Sequence, residues 1–262
     1  MKSTKIFKVL NLITVFIFNA FISFGQSETF KKNESKKYNI LFISIDDLRT
    51  ELNCYGASHV KSPNIDRLAA QGVRFENAHV QQAICMASRA SIMTGIRPEK
   101  HGIYTGVSVN DVLPNALTLN KFFEKNGYNI ASCGKIYHHK IDTKTQFGKN
   151  EMKPKGTWTG RGYVTKEAIK KIALNIKFNR GPAYEFAPVN DTIYKDGLNT
   201  QNALKKMEEL SKDDAPFFLS VGLSKPHLPF IAPKKYLDMY PISDIKLTEI
   251  KTTPLNLSLI HI

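Results

Sequence analysis

The stretch YNILFISI, residues 38–45, is a continuous apolar run, and Asp46 and Asp47 follow it directly. Because its apolar residues do not alternate with polar ones, the run predicts a β-strand that is buried on both faces, as in a parallel sheet. Open α/β sheets bind their ligands beyond the carboxyl ends of the strands. The sequence therefore predicts a central parallel strand with two carboxylates at the ligand-binding edge.

Helical and strand-like segments alternate along the rest of the chain. The apolar pattern predicts helices over residues 65–71, 88–94, 117–126 and 196–210, and strands over residues 73–80, 128–133 and 216–223. This alternation predicts an α/β fold with a largely parallel sheet. Residues 140–190 show no clear period, and we expect them to form a long excursion over the sheet edge that lines a substrate cleft.

The stretch CMASR, residues 85–89, carries the most unusual side chains of the chain. If a helix starts at Ser88, Cys85 lies in the turn before it, where backbone N–H groups and the helix dipole favour an anion. Arg89 then lies in the first turn, where its guanidinium can bind an oxyanion. The stretch predicts an anion site beside a nucleophile. The alternative is a buried and inert cysteine, the usual state of a lone cysteine.

Further polar residues follow the other predicted strands. Lys135 and His138 follow the strand over 128–133, and Lys225 and His227 follow the strand over 216–223. Two adjacent carboxylates at a cleft repel each other, and a hard divalent cation with oxygen ligands relieves that repulsion. Each residue also has an ordinary alternative, as a turn residue, a structural histidine or a solvated lysine. Their recurrence at strand ends favours a site.

Composition narrows the classes of partner. The chain has 262 residues and a net charge of +14, which favours polyanions such as nucleic acid, an anionic membrane or an acidic polysaccharide. It has no dense basic tract interleaved with aromatic residues and no zinc-finger spacing, so we expect no nucleic-acid partner. Its three cysteines, Cys54, Cys85 and Cys133, form no CxxC motif and cannot all pair within the chain.

The two ends of the chain carry separate predictions. Three lysines precede an apolar run over residues 9–24, which predicts a secretory signal peptide over residues 1–25 and a flexible leader over residues 26–37. We therefore expect a periplasmic or secreted protein with no stable membrane insertion after signal cleavage, a retained anchor being the alternative. Residues 257–262 resemble a translated adaptor sequence, so we expect a non-native tail, with a short strand as the alternative.

The motifs, taken in order, resemble those of the type I sulfatases of the alkaline phosphatase superfamily, nearest to the iduronate-2-sulfatase-like branch. The segments that carry the resemblance are NILFISIDDLR (39–49), SPNIDRLA (62–69), CMASR (85–89) with TG (94–95), GKIYH (134–138) and KPHLPF (225–230). The resemblance implies an α/β fold with helices on both faces of a largely parallel sheet. Residues 38–256 would be an incomplete N-terminal catalytic domain that lacks its C-terminal portion.

The resemblance also implies a chemistry for the carboxylates and the cysteine. A formylglycine-generating maturation enzyme would oxidise Cys85 to Cα-formylglycine, whose hydrate is the nucleophile. The second hydroxyl of the hydrate allows the sulfated intermediate to collapse by elimination. Asp46 and Asp47 would bind Ca²⁺ together with the oxygen of modified Cys85, and the ion would polarise the sulfate.

The cationic residues receive roles from the same resemblance. Arg89 would steady the nucleophile and neutralise developing charge. Lys135 and His138 would contact the hydrate and the sulfate. His227 would bind sulfate or act as the general acid, and Lys225 beside it would contact the substrate. The implied reaction is hydrolysis of a sulfuric ester on a sulfated sugar or polysaccharide.

Two departures from the family pattern keep alternatives open. Ala87 stands where proline is commoner, which leaves the maturation system undecided. Family members also have a C-terminal half with further metal and sulfate ligands, and no match follows Phe230. The alternatives are a phosphoryl-transfer enzyme of the same superfamily, which would use an unmodified serine or threonine and two zinc ions, and an inactive fragment with residual sugar binding.

Overall fold

The first apolar run forms an edge strand of a parallel sheet, because among the described residues it pairs with one neighbouring strand only. Its side chains Leu41 and Ile43 are 46% and 50% exposed, so the predicted central strand buried on both faces is wrong. We analysed a computed structural model, which describes residues 36–156, 159, 161–174 and 181–245. The strands of the described residues are β1 (Ile40–Ile45), β2 (Asn129–Gly134), β3 (Glu151–Met152), β4 (Tyr184–Ala187), β5 (Phe217–Leu223) and β6 (Phe230–Pro233). The main sheet has the order β1-β5-β2-β3, and all its neighbouring strands are parallel. Strands β4 and β6 form a second, two-stranded parallel sheet.

Helices connect these strands. In the described residues they are α1 (Pro63–Gln71), α2 (Cys85–Thr94), α3 (Pro98–His101), α4 (Val109–Val112), α5 (Leu119–Lys125), α6 (Lys140–Phe147), α7 (Lys166–Leu174), α8 (Lys195–Leu210) and α9 (Lys234–Leu237). Single turns of 3-10 helix lie at Asn53–Tyr55, Gly148–Asn150, Asp191–Ile193 and Ile242–Asp244. None of the helices in this part of the chain is long and apolar enough to cross a bilayer.

The helices cover both faces of the main sheet. On one face, residues of α2, α5 and α6 pack against Ile130 and Phe218, and the ring of Phe123 stacks on Phe218 at a centroid distance of 4.6 Å. On the other face, α8 packs through Ala203 against a cluster that includes Leu219. Burial of such a large apolar side chain contributes about 1.5–3 kcal/mol to folding. The predicted α/β class, with a parallel sheet and helices on both faces, is confirmed.

Strand register sets the position of the site. Ile45 pairs with Leu223, and Gly134 pairs with Gly222, so β1, β5 and β2 end side by side. A Cβ atom on Gly222 would lie 1.9 Å from the carbonyl oxygen of Lys135, far inside van der Waals contact. Glycine at this position therefore allows the chain beyond β2 to pass directly against β5.

Two further local predictions are wrong. Helix α2 begins at Cys85, not at Ser88, because Ile84 has extended backbone angles and precedes the first helical residue. Residues 73–80 form no strand, since no strand of the described chain pairs with them. Their apolar side chains, such as Val73 and Phe75, lie more than two-thirds exposed.

The excursion over residues 140–190 is more ordered than its sequence pattern indicates. It contains α6 and α7 together with strands β3 and β4, and β3 extends the main sheet beside β2. The predicted signal peptide, most of the predicted leader and the predicted tail lie outside the described residues. They stay predictions.

Candidate active site

Arg89 ties helix α2 to the end of strand β2. Its side chain is buried, and Nη1 donates hydrogen bonds to the carbonyl oxygens of Lys135 at 2.5 Å and Ile136 at 2.8 Å. Its Nη2 donates to Oδ1 of Asp46 at 3.0 Å. A guanidinium has five donors in a fixed plane, which lets one side chain hold two carbonyls and a carboxylate together. Arg89 thus fixes the relative positions of α2, β1 and β2.

Asp46 is the anionic centre of this cluster. Lys135 Nζ donates to Oδ2 of Asp46, while Arg89 binds Oδ1, so both carboxylate oxygens have a cationic partner. Burial opposes the charge of Asp46, but the hydrogen bonds and charges of Lys135 and Arg89 outweigh that effect and lower its pKa below 3.8. The carboxylate therefore stays ionised at neutral pH although it is buried.

Cys85 faces a histidine. Its Sγ lies 3.2 Å from Nδ1 of His138, across the first turn of α2. Burial, and then the positive charges of Lys135 and Arg89, lower the pKa of His138 below 6.5. The imidazole is therefore neutral at pH 7, and one of its ring nitrogens can accept a hydrogen bond.

Asp47 has an unusual backbone. Among the described residues it is the only non-glycine residue with a positive φ, at 58°. Aspartate tolerates the left-handed region better than most residues, and such conformations concentrate at functional sites. The side chain is 56% exposed, and its Oδ2 lies 3.9 Å from Nε2 of His227. The carboxylate of Asp47 thus lies near the turn after β5.

Lys225 lies in that turn. Its Nζ donates to the carbonyl oxygens of His227 at 2.7 Å and Pro229 at 2.6 Å. Burial lowers the pKa of Lys225 to about 8, opposed by the nearby charge of Asp196 and assisted by that of Arg161. Lys225 therefore carries a positive charge at neutral pH and loses it in mild alkali.

The cluster around Asp46 and the turn that carries Lys225 and His227 both line one cavity of about 640 Å³. Of the predicted site residues, five line it directly: Asp46, Lys135, His138, Lys225 and His227. Cys85 and Arg89 contact lining residues, and Asp47 approaches His227. The structure thus brings all the predicted site residues together at the carboxyl ends of β1, β2 and β5. The volume of the cavity lies in the range of small-molecule binding sites.

Two further residues were not predicted from the sequence. Asp196 accepts hydrogen bonds through Oδ2 from the backbone amides of Ser224 at 2.8 Å and Lys225 at 2.7 Å, and so holds the turn after β5. An acid in the first turn of a helix is so common that it gives no signal of this role. Arg161 also lines the cavity, and the two glycines that flank it were a usable signal of an irregular loop.

Comparison with known proteins identifies the family of the chain. The sulfatase family profile matches residues 38–257. The chain belongs to the sulfatase family. It is 36% identical over 212 residues to iduronate 2-sulfatase of Mus musculus, which covers 80% of this chain and 38% of that protein. It is 35% identical over 232 residues to iduronate 2-sulfatase of Homo sapiens, which covers 84% of this chain and 41% of that protein.

A solved structure supports the fold. The phosphonate monoester hydrolase SpPMH from Silicibacter pomeroyi aligns with a TM-score of 0.57 at 22% identity, over 80% of this chain and 46% of that one. The chain spans less than half the length of the relatives that it matches. The family that the sequence motifs predicted is confirmed.

Proposed function

We propose that this chain carries the nucleophile and part of the sulfate site of a sulfuric ester hydrolase. The observation that carries the proposal is Cys85 at the first position of α2, 3.2 Å from His138 and beside the cluster of Arg89, Lys135 and Asp46. The free N–H groups at the start of a helix and the adjacent cations favour a tetrahedral anion such as a sulfate ester. Sulfatase-family membership supports this reaction class.

The proposed nucleophile is Cα-formylglycine formed from Cys85 by a maturation enzyme. The hydrated aldehyde supplies a hydroxyl nucleophile and a second hydroxyl that permits release of sulfate by elimination. Family membership and the position of Cys85 at the helix start support this modification. We further propose that the protein is periplasmic or secreted, as the signal-like N-terminal sequence indicates.

The residues of the site offer the kind of ligand that calcium prefers, but fewer ligands than a calcium ion needs. Carboxylate oxygens suit Ca²⁺, which takes six to eight oxygen ligands. Within the described residues, no group of three or more His, Cys, Asp or Glu side chains is placed to hold a metal ion. We propose that Asp46, Asp47 and the oxygen at position 85 hold one side of a calcium ion, which polarises sulfate oxygens when bound. The remaining ligands would lie outside the described residues.

The chain's own side chains account for binding and proton transfer. Lys135 and Lys225 offset the charge of the bound sulfate, and Arg89 keeps Lys135 in place through its backbone carbonyl. His138 is neutral and can accept a proton from a hydroxyl group at position 85. His227 lines the cavity and would donate a proton to the leaving oxygen.

We propose a sulfated sugar as the substrate. The relatives in mouse and human are named for sulfated iduronate, and another relative, an ulvan-active sulfatase of Formosa agariphila, is 32% identical over 80% of this chain and 40% of that protein. The cavity has room for a sugar ring beyond the sulfate group. Its apolar wall, which includes Leu228 and Tyr236, is suited to the faces of such a ring.

Mass spectrometry and sulfate release test the proposal. In protein from its native host, we expect peptide 75–89 to carry an aldehyde in place of the thiol, while Cys54 and Cys133 stay thiols as internal controls. Release of inorganic sulfate from a sulfated saccharide should fall by about 10³-fold or more in Cys85→Ala. The same activity should persist in Cys54→Ala. An intact thiol at residue 85 in active protein would refute the formylglycine mechanism, and faster hydrolysis of phosphate esters would favour a phosphoryl-transfer enzyme.

A further inference from the structure

Arg161 is carried on a short loop that reaches the cavity. The backbone of Thr159 and Tyr163 forms an antiparallel bridge, with hydrogen bonds of 2.9 and 3.0 Å in the two directions. Gly162 has a φ of 115°, which residues with a side chain rarely adopt, and its N–H donates to the carbonyl oxygen of Thr159 at 3.1 Å. These backbone hydrogen bonds lie on either side of Arg161 in the sequence.

Buried side chains brace this loop from below. Tyr163 is 2% exposed, and its hydroxyl donates to the carbonyl oxygen of Pro182. The buried carboxylate of Glu185 accepts hydrogen bonds from the backbone amides of Val164 and Thr165, both at 3.0 Å. It also accepts from the hydroxyls of Thr165 at 2.6 Å and Tyr194 at 2.8 Å. Such bracing lowers the entropy lost when Arg161 binds a ligand.

The acidic residues that line the cavity make no ion pair with Arg161 in the described part of the chain. Asp46 is paired with Arg89 and Lys135. Asp191 pairs with Lys235 at 2.8 Å, and Asp196 accepts two backbone N–H groups through Oδ2. None of these carboxylates neutralises Arg161.

Arg161 and Lys195 are the cavity's remaining positive charges. Within residues 36–156, 159, 161–174 and 181–245, neither side chain makes a hydrogen bond or an ion pair. The charge of Arg161 nevertheless reaches the half-buried Lys225, whose pKa it helps to lower. Arg161 and Lys225 therefore face the same space. The neighbouring cations add to the positive potential at Arg161, so an anion binds there more favourably than it would at an isolated arginine in water.

We propose that Arg161 binds a second anionic group of the sulfated substrate, a sugar carboxylate or another sulfate. The inference rests on the proposed function and adds a specificity-determining residue to it. The first sulfate lies at Lys135 and Lys225, and the second anion lies at Arg161, with the sugar ring between them. A guanidinium binds either oxyanion through two parallel hydrogen bonds. Lys195 adds a further positive charge to the lining of the same cavity.

Calorimetric titration of ligands that differ in one group tests the inference. The chain is used in a Cys85→Ala background so that no ligand is hydrolysed. The probes are the methyl glycoside of a 2-O-sulfated uronic acid, its carboxyl-reduced counterpart, and that counterpart with a second sulfate. We expect the carboxylate or the second sulfate to tighten binding about tenfold, as one charge-assisted contact does. The anion that produces the gain identifies the natural group.

Variants at residue 161 separate the two proposals. Arg161→Gln should abolish the gain and leave the affinity for the carboxyl-reduced probe unchanged, whereas Arg161→Lys should keep part of the gain. Arg67→Gln, which removes an exposed arginine of α1, is the matched control and should change nothing. If the second anion adds no affinity, or if Arg161→Gln weakens all probes equally, the inference is wrong. If the carboxyl-reduced sulfated probe does not bind at all, the sulfate site itself fails, and the inference fails with it.

Discussion

The two walls of the cavity hold their positive charges in opposite ways. On the α2 wall, formed by Asp46, Arg89 and Lys135, the cations share one buried carboxylate and two backbone carbonyls. On the α8 wall, formed by Arg161, Lys195 and Lys225, no described carboxylate makes an ion pair with a cation. Paired charges keep their geometry without a ligand, whereas unpaired charges become fully satisfied only when an anion binds. Under the proposed function, the first wall would fix the surroundings of residue 85, and the second would select the ligand.

Substitution of Arg89 should have the largest effect, because it removes the central cation of the α2 wall. Arg89→Met leaves Asp46 with one partner and two buried carbonyls without a donor, so we expect a loss of about 3 kcal/mol in the free energy of unfolding. Urea unfolding measures this loss. Arg67→Met, on the exposed surface of α1, should change stability by less than about 0.5 kcal/mol. A cost for Arg89→Met in the range of an exposed ion pair, below about 1 kcal/mol, would show that the α2 wall is not held by this cluster.

A steric clash at Gly222 should lower the free energy of unfolding by less than the loss of Arg89. Gly222→Ala places a Cβ atom 1.9 Å from the carbonyl oxygen of Lys135, and the backbone after β2 must move away from β5. We expect a loss of about 1–3 kcal/mol in the free energy of unfolding, as for other overpacked sites. Weaker binding of a sulfated sugar should accompany it, because Lys135 moves. In Gly72→Ala, the new Cβ meets only an ordinary contact at 3.4 Å, and an equal loss in both variants would contradict the clash.

The α2 wall was largely predictable from the sequence. Continuous apolar runs identified β1, β2 and β5, and the parallel sheet then brought Asp46 and Lys135 to one edge. The start of α2 was missed because Ile84 occupies the capping position and its side chain makes no capping hydrogen bond. The predicted strand over residues 73–80 failed for a different reason. Its apolar pattern fits a strand, but pairing depends on a neighbouring strand that the local sequence does not encode.

The α8 wall was less predictable. The loop of Arg161 depends on Glu185, which lies more than twenty residues further along the chain and accepts hydrogen bonds from Val164 and Thr165. Asp196 reaches the amides of Ser224 and Lys225 across a similar separation. Such contacts between a side chain and a distant backbone leave no periodic pattern in the sequence. They arise from the tertiary fold.

The smallest expected effect concerns the charge of Lys225. An anion binds the protonated amine, and the pKa of Lys225 is lowered to about 8, so affinity for a sulfated sugar should be constant below that pH and fall above it. The bound anion stabilises the protonated form, which moves the decline to a somewhat higher pH in the complex. Lys225→Met should weaken binding about tenfold, equivalent to about 1.4 kcal/mol, and remove the decline.

Lys225→Arg distinguishes this cause from a general alkaline effect. An arginine keeps its charge throughout the range, so binding in this variant should stay constant to about pH 10. His138 does not produce the decline, because burial and the nearby cations have already lowered its pKa below 6.5 and it is neutral at pH 8. A decline that persists unchanged in Lys225→Arg would place the titrating group elsewhere. The amine of Lys225 would then not be the group whose charge controls anion binding.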